Sequence, residues 1–336
     1  MLHRQLWMFL VLAYLSAGFA YLWPQAYREN GPVYVWTSWI AFQIRTFIFY
    51  AGWVATFFAA VAFWRRWRRL ALTALPLILV TTLPTFWRCL PKQIAPTTAE
   101  AFTVMSVNLL MINEQTDATI AAIEAVDPEI LFLQEYSGSW HAILKRSFAD
   151  RYPHHFGEPR GDSFGMAIYS KRPLRDVRLD LPLGQALEPQ MRAVTTLGGR
   201  DVALYQCHLL PPCGLDYISE TRAQFADLLL KLDRERLPVV LVGDFNFSDT
   251  SPQAADLGRA GLRDAHQQAG TGTGFAWPAP GFLWWMPKLR LDHIYLRSPL
   301  RAVESRRGGP IGSDHRPVLA RITLDGPPAA QESDAH

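Results

Sequence analysis

The chain has 336 residues, 49% hydrophobic, 12% aromatic and only 19% charged, with a mean hydropathy of +0.02 and a formal net charge of +3. Soluble chains of this size usually carry about a quarter charged residues, so part of this one is built for a setting other than water. High apolar content, only three Cys, and 22 Gly and 24 Pro without a period exclude a disordered chain, a disulfide-built mini-protein and collagen.

The charge divides near residue 95. Residues 1–95 hold nine Lys+Arg against one acid, Glu29, a balance of +8; residues 96–336 hold 24 basic and 29 acidic residues, a balance of −5. In the first part, 6–23, 46–64 and 70–87 are uncharged runs of 18, 19 and 18 residues. Each approaches the ~20 residues that cross a hydrocarbon core as a helix. Buried helices of a soluble domain are the alternative. Runs apolar on every side, with Trp23, Trp64 and Trp87 at their ends, favour membrane spans. Pro76 and Pro84 predict kinks in the third span, which a membrane helix tolerates. Segment 33–43 is apolar too, so the second span either starts near 46 or starts earlier and encloses Arg45. A cleaved signal peptide is disfavoured, because no small-x-small site follows 6–15 and further spans come after.

Arg65, Arg66, Arg68 and Arg69 crowd the connection between the second and third spans, which predicts a cytoplasmic turn. Three spans then put Arg4 and the amino terminus inside and everything after Trp87 outside; two spans would reverse this. The expected organisation is a membrane anchor at 1–89, a linker at 90–100 rich in Pro and Thr, a catalytic domain at 101–324, and a frayed tail at 325–336. The protein is thus expected in the inner or plasma membrane, its catalytic domain on the extracytoplasmic side.

Apolar runs at 101–107, 130–133, 166–169, 192–197, 202–206, 238–242, 291–296 and 317–322 predict strands. Helical spacing covers 114–126, 140–148 and 218–236. Mixed strands and helices argue a layered α/β domain. Asn108, Glu135, His208, Asp244, Asn246, Asp292, Asp314 and His315 each stand at or just beyond the end of such a run. Any one of them has an ordinary explanation as a turn former or solvated residue. Together, a set made only of carboxylates, amides and imidazoles at strand ends points to a reaction centre.

These residues lie in Ser106-Val107-Asn108, Leu133-Gln134-Glu135, Gly165-Met166-Ala167-Ile168-Tyr169-Ser170, His208-Leu209-Leu210-Pro211, Gly243-Asp244-Phe245-Asn246, Leu291-Asp292-His293-Ile294 and Ser313-Asp314-His315-Arg316-Pro317. In content and order, over about residues 101–323, they resemble the endonuclease/exonuclease/phosphatase family of metal-dependent phosphoesterases. The resemblance implies a four-layer α/β sandwich, two mixed sheets face to face with helices outside. It implies Mg2+, with Mn2+ able to substitute, on Glu135, Asn108 and Asp314. It also implies that Asp244 orients or deprotonates the attacking water, and that Asn246 holds water and phosphate. His208 would contact phosphate, and His315, fixed by Asp292, would bond or protonate a phosphate oxygen; Asp244 and His315 could exchange the role of base. The chemistry needs such groups, since phosphoester hydrolysis requires neutralised phosphoryl charge and an activated water.

Arg192, starting a strand, is either a phosphate contact or a surface strand residue, and His293 should face away from Asp292. Cys207 reads as a buried free thiol, with a Cys207–Cys213 disulfide as the alternative for an external domain. The substrate is a phosphodiester or phosphomonoester, of a lipid headgroup or of nucleic acid. A duplex-DNA nuclease wants a basic groove, whereas this domain balances at −5. Phe282-Leu283-Trp284-Trp285-Met286 is an aromatic run in a loop that either enters a lipid interface or packs against the protein. A catalytically silent binding domain is the alternative from another class, disfavoured because every matched polar residue is present. A transporter role lacks intramembrane charges beyond Arg45.

Overall fold

A computed structural model describes residues 1–180 and 189–324; the tail expected to fray lies outside them. The chain opens with three helices, α1 (Leu2–Leu22), α2 (Pro32–Trp64) and α3 (Arg68–Cys89). Then follow β1 (Ala101–Asn108), α4 (Thr116–Val126), β2 (Ile130–Gln134), α5 (Gly138–Phe148), β3 (His154–Glu158), β4 (Met166–Ser170) and β5 (Arg175–Asp180). The second half holds β6 (Gln190–Leu197), β7 (Arg200–His208), α6 (Leu215–Arg234), β8 (Val239–Asp244), α7 (Pro252–Arg259), β9 (Leu262–Asp264), α8 (Ala265–Ala269), β10 (Asp292–Arg297), β11 (Leu300–Arg307) and β12 (Val318–Leu324).

The strands form two six-stranded mixed sheets, ordered β11-β12-β1-β2-β4-β3 and β5-β6-β7-β8-β10-β9. In each, one central pair is parallel, β1 with β2 and β7 with β8. Side chains alternate across a strand, so one face of each sheet meets the other sheet while the opposite face takes helices. Phe102 and Val104, Ile130 and Phe132, Val202 and Leu204, Val240 and Val242, and Ile294 and Leu296 fill the layer between the sheets. The outer face of the first sheet packs Met105, Val107, Leu131 and Leu133 on Ile123, Trp140, Leu144 and Phe148 of α4 and α5. That of the second packs Ala203, Tyr205, Val239 and Leu241 on Phe225, Leu228 and Leu232 of α6. Full burial of one such large side chain stabilises by about 1.5–3 kcal/mol. The result is the four-layer sandwich implied by the resemblance.

α1, α2 and α3 are long and apolar enough to cross a membrane. They close on one another through small residues: a Cβ on Gly52 of α2 would meet Thr81 Oγ1 of α3 at 2.3 Å. Large apolar side chains such as Phe57, Phe63, Leu79, Leu83 and Trp87 point outward. Pro76 and Pro84 both lie inside α3. The second helix begins at Pro32, well before residue 46, and Arg45 lies within it. At 1.5 Å per residue its 33 residues run about 50 Å, well beyond a hydrocarbon core of about 30 Å. The excess length lies along the sandwich, with Phe42 in the same apolar cluster as Phe245 and Phe247.

Candidate active site

The alternation that fills the layer between the sheets also builds the site. Continued toward the carboxyl ends, the inward rows run Phe102-Val104-Ser106-Asn108 on β1, Ile130-Phe132-Gln134 on β2, Val202-Leu204-Gln206-His208 on β7 and Val240-Val242-Asp244 on β8. On the antiparallel β10 the row runs backward, Leu296-Ile294-Asp292. Each row passes from hydrocarbon to a polar or charged group at the same end of the sandwich. Register then fixes neighbours: His208 stands beside Asp244, and Asp292 directly opposite it, where Cβ atoms are about 5 Å apart. Gly243 allows this approach, because a Cβ there would meet the Cys207 carbonyl oxygen at 1.8 Å.

Asp244 is the hub. Its Oδ2 accepts from Asn108 Nδ2 at 3.2 Å and lies 3.4 Å from His315 Nε2 and 3.7 Å from His208 Nε2. Its Oδ1 accepts from the Asn246 backbone N–H at 3.0 Å. Burial disfavours the Asp244 carboxylate, but His315 and His208 outweigh it and hold the carboxyl below its usual range. His315 Nδ1 meets Asp292 Oδ2 at 2.8 Å. Burial opposes the imidazolium, and Asp292 and Asp244 overcome it, raising the pKa to about 10. Burial, helped by Asp244, raises the Asp292 carboxyl against the pull of His315. The three groups titrate as one unit.

Two residues of the constellation take left-handed backbone, Glu135 at φ 54° and Asn246 at φ 50°. Such conformations cost of order 1 kcal/mol or more outside glycine and cluster at functional sites. Asn246 Nδ2 donates to the Leu209 carbonyl at 2.7 Å. Glu135 Oε2 accepts from the Met111 N–H, and Asn108 Oδ1 from the Leu110 N–H, both at 3.0 Å. Glu135 therefore joins the group through the turn after β1. Asp314 sits beside His315 in sequence; its Oδ2 accepts from Trp277 Nε1 at 3.2 Å, while among the described residues no donor reaches its buried Oδ1.

A buried acceptor-only oxygen without a donor suits a hard cation. Two clusters have metal-compatible spacing, Asp244/Asp292/His315 and Asp249/Asp264/His293, each with ligand atoms within 4.8 Å of one another. The second already contains a cation: the Arg290 guanidinium donates to Asp249 and Asp264. The structure thus brings Asn108, His208, Asp244, Asn246, Asp292 and His315 into one group around Asp244, with Glu135 linked through the turn after β1 and Asp314 adjoining His315 in the chain.

Arg192 bonds Glu235 at 2.8 Å and lies over the Tyr205 ring, so it is a strand residue in an ion pair and not a phosphate contact. His293 faces away from the site, as expected, onto Asp264 and the Phe247 carbonyl. Cys207 is a buried free thiol and Cys213 an exposed one. Trp284 and Trp285 are 86% and 65% exposed, so packing against the protein is not their role. Trp277, which holds Asp314, and Phe164, whose ring lies 5.2 Å from that of His208, carry no sequence signal; both come from irregular loops.

A family model for the endonuclease/exonuclease/phosphatase family matches residues 105–315. No curated protein matches the chain. Among solved structures, D. rerio TDP2 complexed with single-strand DNA product superposes with a TM-score of 0.58 at 20% identity, over 67% of this chain and 100% of that one. A family protein from Leptotrichia buccalis gives 0.55 at 18%, over 67% and 100%. The Neisseria 3′ phosphatase NExo bound to a product DNA hairpin gives 0.55 at 21%, over 67% and 100%. These likenesses speak for the fold, and the family match spans every residue of the constellation, from Asn108 to His315. The chain belongs to the endonuclease/exonuclease/phosphatase family, whose members are metal-dependent phosphoester hydrolases.

Proposed function

We propose that this protein is a membrane-anchored, Mg2+-dependent phosphoesterase whose substrate is a phosphodiester or phosphomonoester of a lipid headgroup, held outside the cytoplasm. The observation that carries the lipid reading is where the site end of the sandwich sits. The loops that α2 touches follow β7 (Pro212), follow β8 (Thr250, Ser251) or precede β10 (Phe275, Lys288), and these are the loops around the reaction centre. Trp284 and Trp285 project into solvent from the same segment as Lys288, as interfacial aromatic side chains do. The arginine-rich turn lies at the other end of the helices, where His3 packs on Trp67, which supports an external catalytic domain.

Glu135, Asn108 and Asp314 would hold the metal, which supplies charge neutralisation at the phosphoryl oxygens. The protein's own groups do the rest. Asp244, kept ionised by its imidazole neighbours, orients the attacking water and accepts its proton. Asn246, through its side-chain amide, holds phosphate and water. His208 contacts a phosphoryl oxygen. His315, held as imidazolium by Asp292 and Asp244, stabilises the charge that develops and can release a proton to it. The raised His315 pKa therefore favours Asp244 as the base.

The test uses the full chain in phospholipid nanodiscs with Mg2+. Release of phosphorylated headgroup from a diester, or of inorganic phosphate from a monoester, abolished by EDTA and restored by Mg2+, is the expected result. A second reading, an extracytoplasmic nuclease, draws support from solved relatives described with DNA. Cleavage of single-stranded oligonucleotide with intact lipid would select it. Hydrolysis of neither, with no metal bound by calorimetry, would leave a silent binding domain.

A further inference from the structure

We propose that the first half of α2 is a working part of the catalytic domain, positioning Asn246 through Trp39, Phe42, Arg45 and Thr46. The inference rests on the reading of Asn246 as a residue that holds phosphate and water.

The four residues form a stripe at helical spacing, i, i+3 and i+6/i+7, that ends where the uncharged run 46–64 begins. Trp39 Nε1 donates to the Pro212 carbonyl at 3.0 Å. Phe42 enters the apolar cluster with Phe245 and Phe247, the two neighbours of Asn246. Arg45 Nε donates to the Thr250 carbonyl at 2.6 Å, and Thr250 Oγ1 returns a bond to the Arg45 carbonyl. Thr46 Oγ1 lies 3.3 Å from Ser251 Oγ. One helix face thus pins both loops beside Asn246. The 245–251 loop carries it, and the loop after His208 supplies the Leu209 carbonyl that receives its side-chain amide.

Asn246 needs such support. Its left-handed backbone persists only where the surroundings over-determine it. Trp39 and Phe42 line a small crevice together with Asn246, Phe245 and Phe247, so the helix reaches the residue's own surroundings. Arg45 also gains a physical account. A guanidinium would be expensive inside the hydrocarbon, whereas here it sits over the Tyr21 ring at 4.9 Å and bonds a loop carbonyl of the catalytic domain. Simple tethering would need only a linker, and residues 90–100 already provide one.

The experiment uses the full chain in nanodiscs, with bis(p-nitrophenyl) phosphate and Mg2+, comparing the parent with Trp39→Phe, Arg45→Gln and Arg45→Lys. Trp39→Phe and Arg45→Gln should each lower kcat about tenfold with KM changed less than about twofold, since small misplacements at a reaction centre cost this much or more. Arg45→Lys, which keeps a charged donor, should recover most of the loss. Hydrogen exchange on the same proteins should quicken at 209–214 and 245–251 while β2 keeps its protection. Unchanged kcat with unchanged exchange would overturn the proposal. So would an exchange increase spread evenly over the domain, which would mean simple loss of stability. If the parent hydrolyses no phosphoester, the functional reading fails, and the exchange pattern alone decides whether α2 holds the loop.

Discussion

Asp292 and His293 are chain neighbours on β10, yet they serve two clusters of the same composition, each of two Asp and one His with nearly the same spacing. Asp292 faces inward with Asp244 and His315; His293 faces outward with Asp249 and Asp264. What separates them is the source of positive charge. In the outer cluster Arg290 fills the centre, only 4% exposed, and neutralises both carboxylates permanently. In the inner cluster the positive charge is a titratable imidazolium, and an unpartnered carboxylate oxygen of Asp314 remains beside it. Residue type and spacing alone would nominate both as metal or catalytic sites. A built-in guanidinium makes one a structural knot, and the other holds its carboxylates with an imidazolium alone.

The largest effect should come from the hub of the inner cluster. Asp244→Ala removes the acceptor shared by Asn108 and the Asn246 backbone and the charge beside His208 and His315. Phosphoesterase activity is expected to fall about 10³-fold, with the thermal unfolding midpoint nearly kept. Retention of activity in that variant would place the reaction elsewhere.

Arg290→Met should show the opposite signature, since it leaves Asp249 and Asp264 buried without their cation. Breaking a buried pair this way costs about 3 kcal/mol, read by denaturant unfolding at pH 7. Burial works against both carboxylates in the parent, but Arg290 holds them below the usual range. Their contribution is therefore present above pH about 4 and lost as pH falls through the depressed folded values. In the variant burial acts with less opposition, the carboxyls rise, and protonation relieves them. The deficit against the parent should thus shrink as pH falls from neutrality, and go on shrinking below about 4. A deficit that grows in acid would show that the outer carboxylates do not depend on Arg290.

Asp292→Asn sharpens the comparison from the inner side. The amide still reaches His315 Nδ1 but no longer supplies charge to the imidazolium. Activity should fall by about 10²-fold, and the alkaline limb of the rate profile should move to lower pH as His315 loses its partner. An unmoved limb would mean that Asp292 only orients the ring.

Much of this is legible in the sequence, and the limit of legibility has a physical outline. The central strands announce themselves because both faces are buried and their apolar runs end in the reactive groups, as in Val239–Asp244 and Arg200–His208. The strands that the sequence conceals are β3, β5, β9 and β11, the four edges of the two sheets. His154–Glu158, Arg175–Asp180 and Leu300–Arg307 carry polar and charged side chains, as edge strands do to avoid pairing with other chains. For α2 a start near 33 and one near 46 stay equally open, because Trp39 and Phe42 look alike whether they face lipid or the catalytic domain. The bond from Trp277 to Asp314 joins two loops 37 residues apart in the chain, and no local pattern encodes it.

The mildest test asks whether the two clusters are independent. His293 has both ring nitrogens engaged, with Asp264 at 3.0 Å and the Phe247 carbonyl at 3.1 Å. His293→Gln can keep one of these contacts and should cost about 1 kcal/mol, the usual price of a lost hydrogen bond. Phe247, however, follows Asn246 in the chain, so its carbonyl is one link from the inner cluster. If the outer knot is only structural, kcat should stay within about twofold while stability drops by that amount. A fall in kcat larger than the stability change accounts for would mean that the knot also sets the Asn246 loop. The line between structural and reactive clusters would then run through Phe247, between the two groups, and no longer along β10.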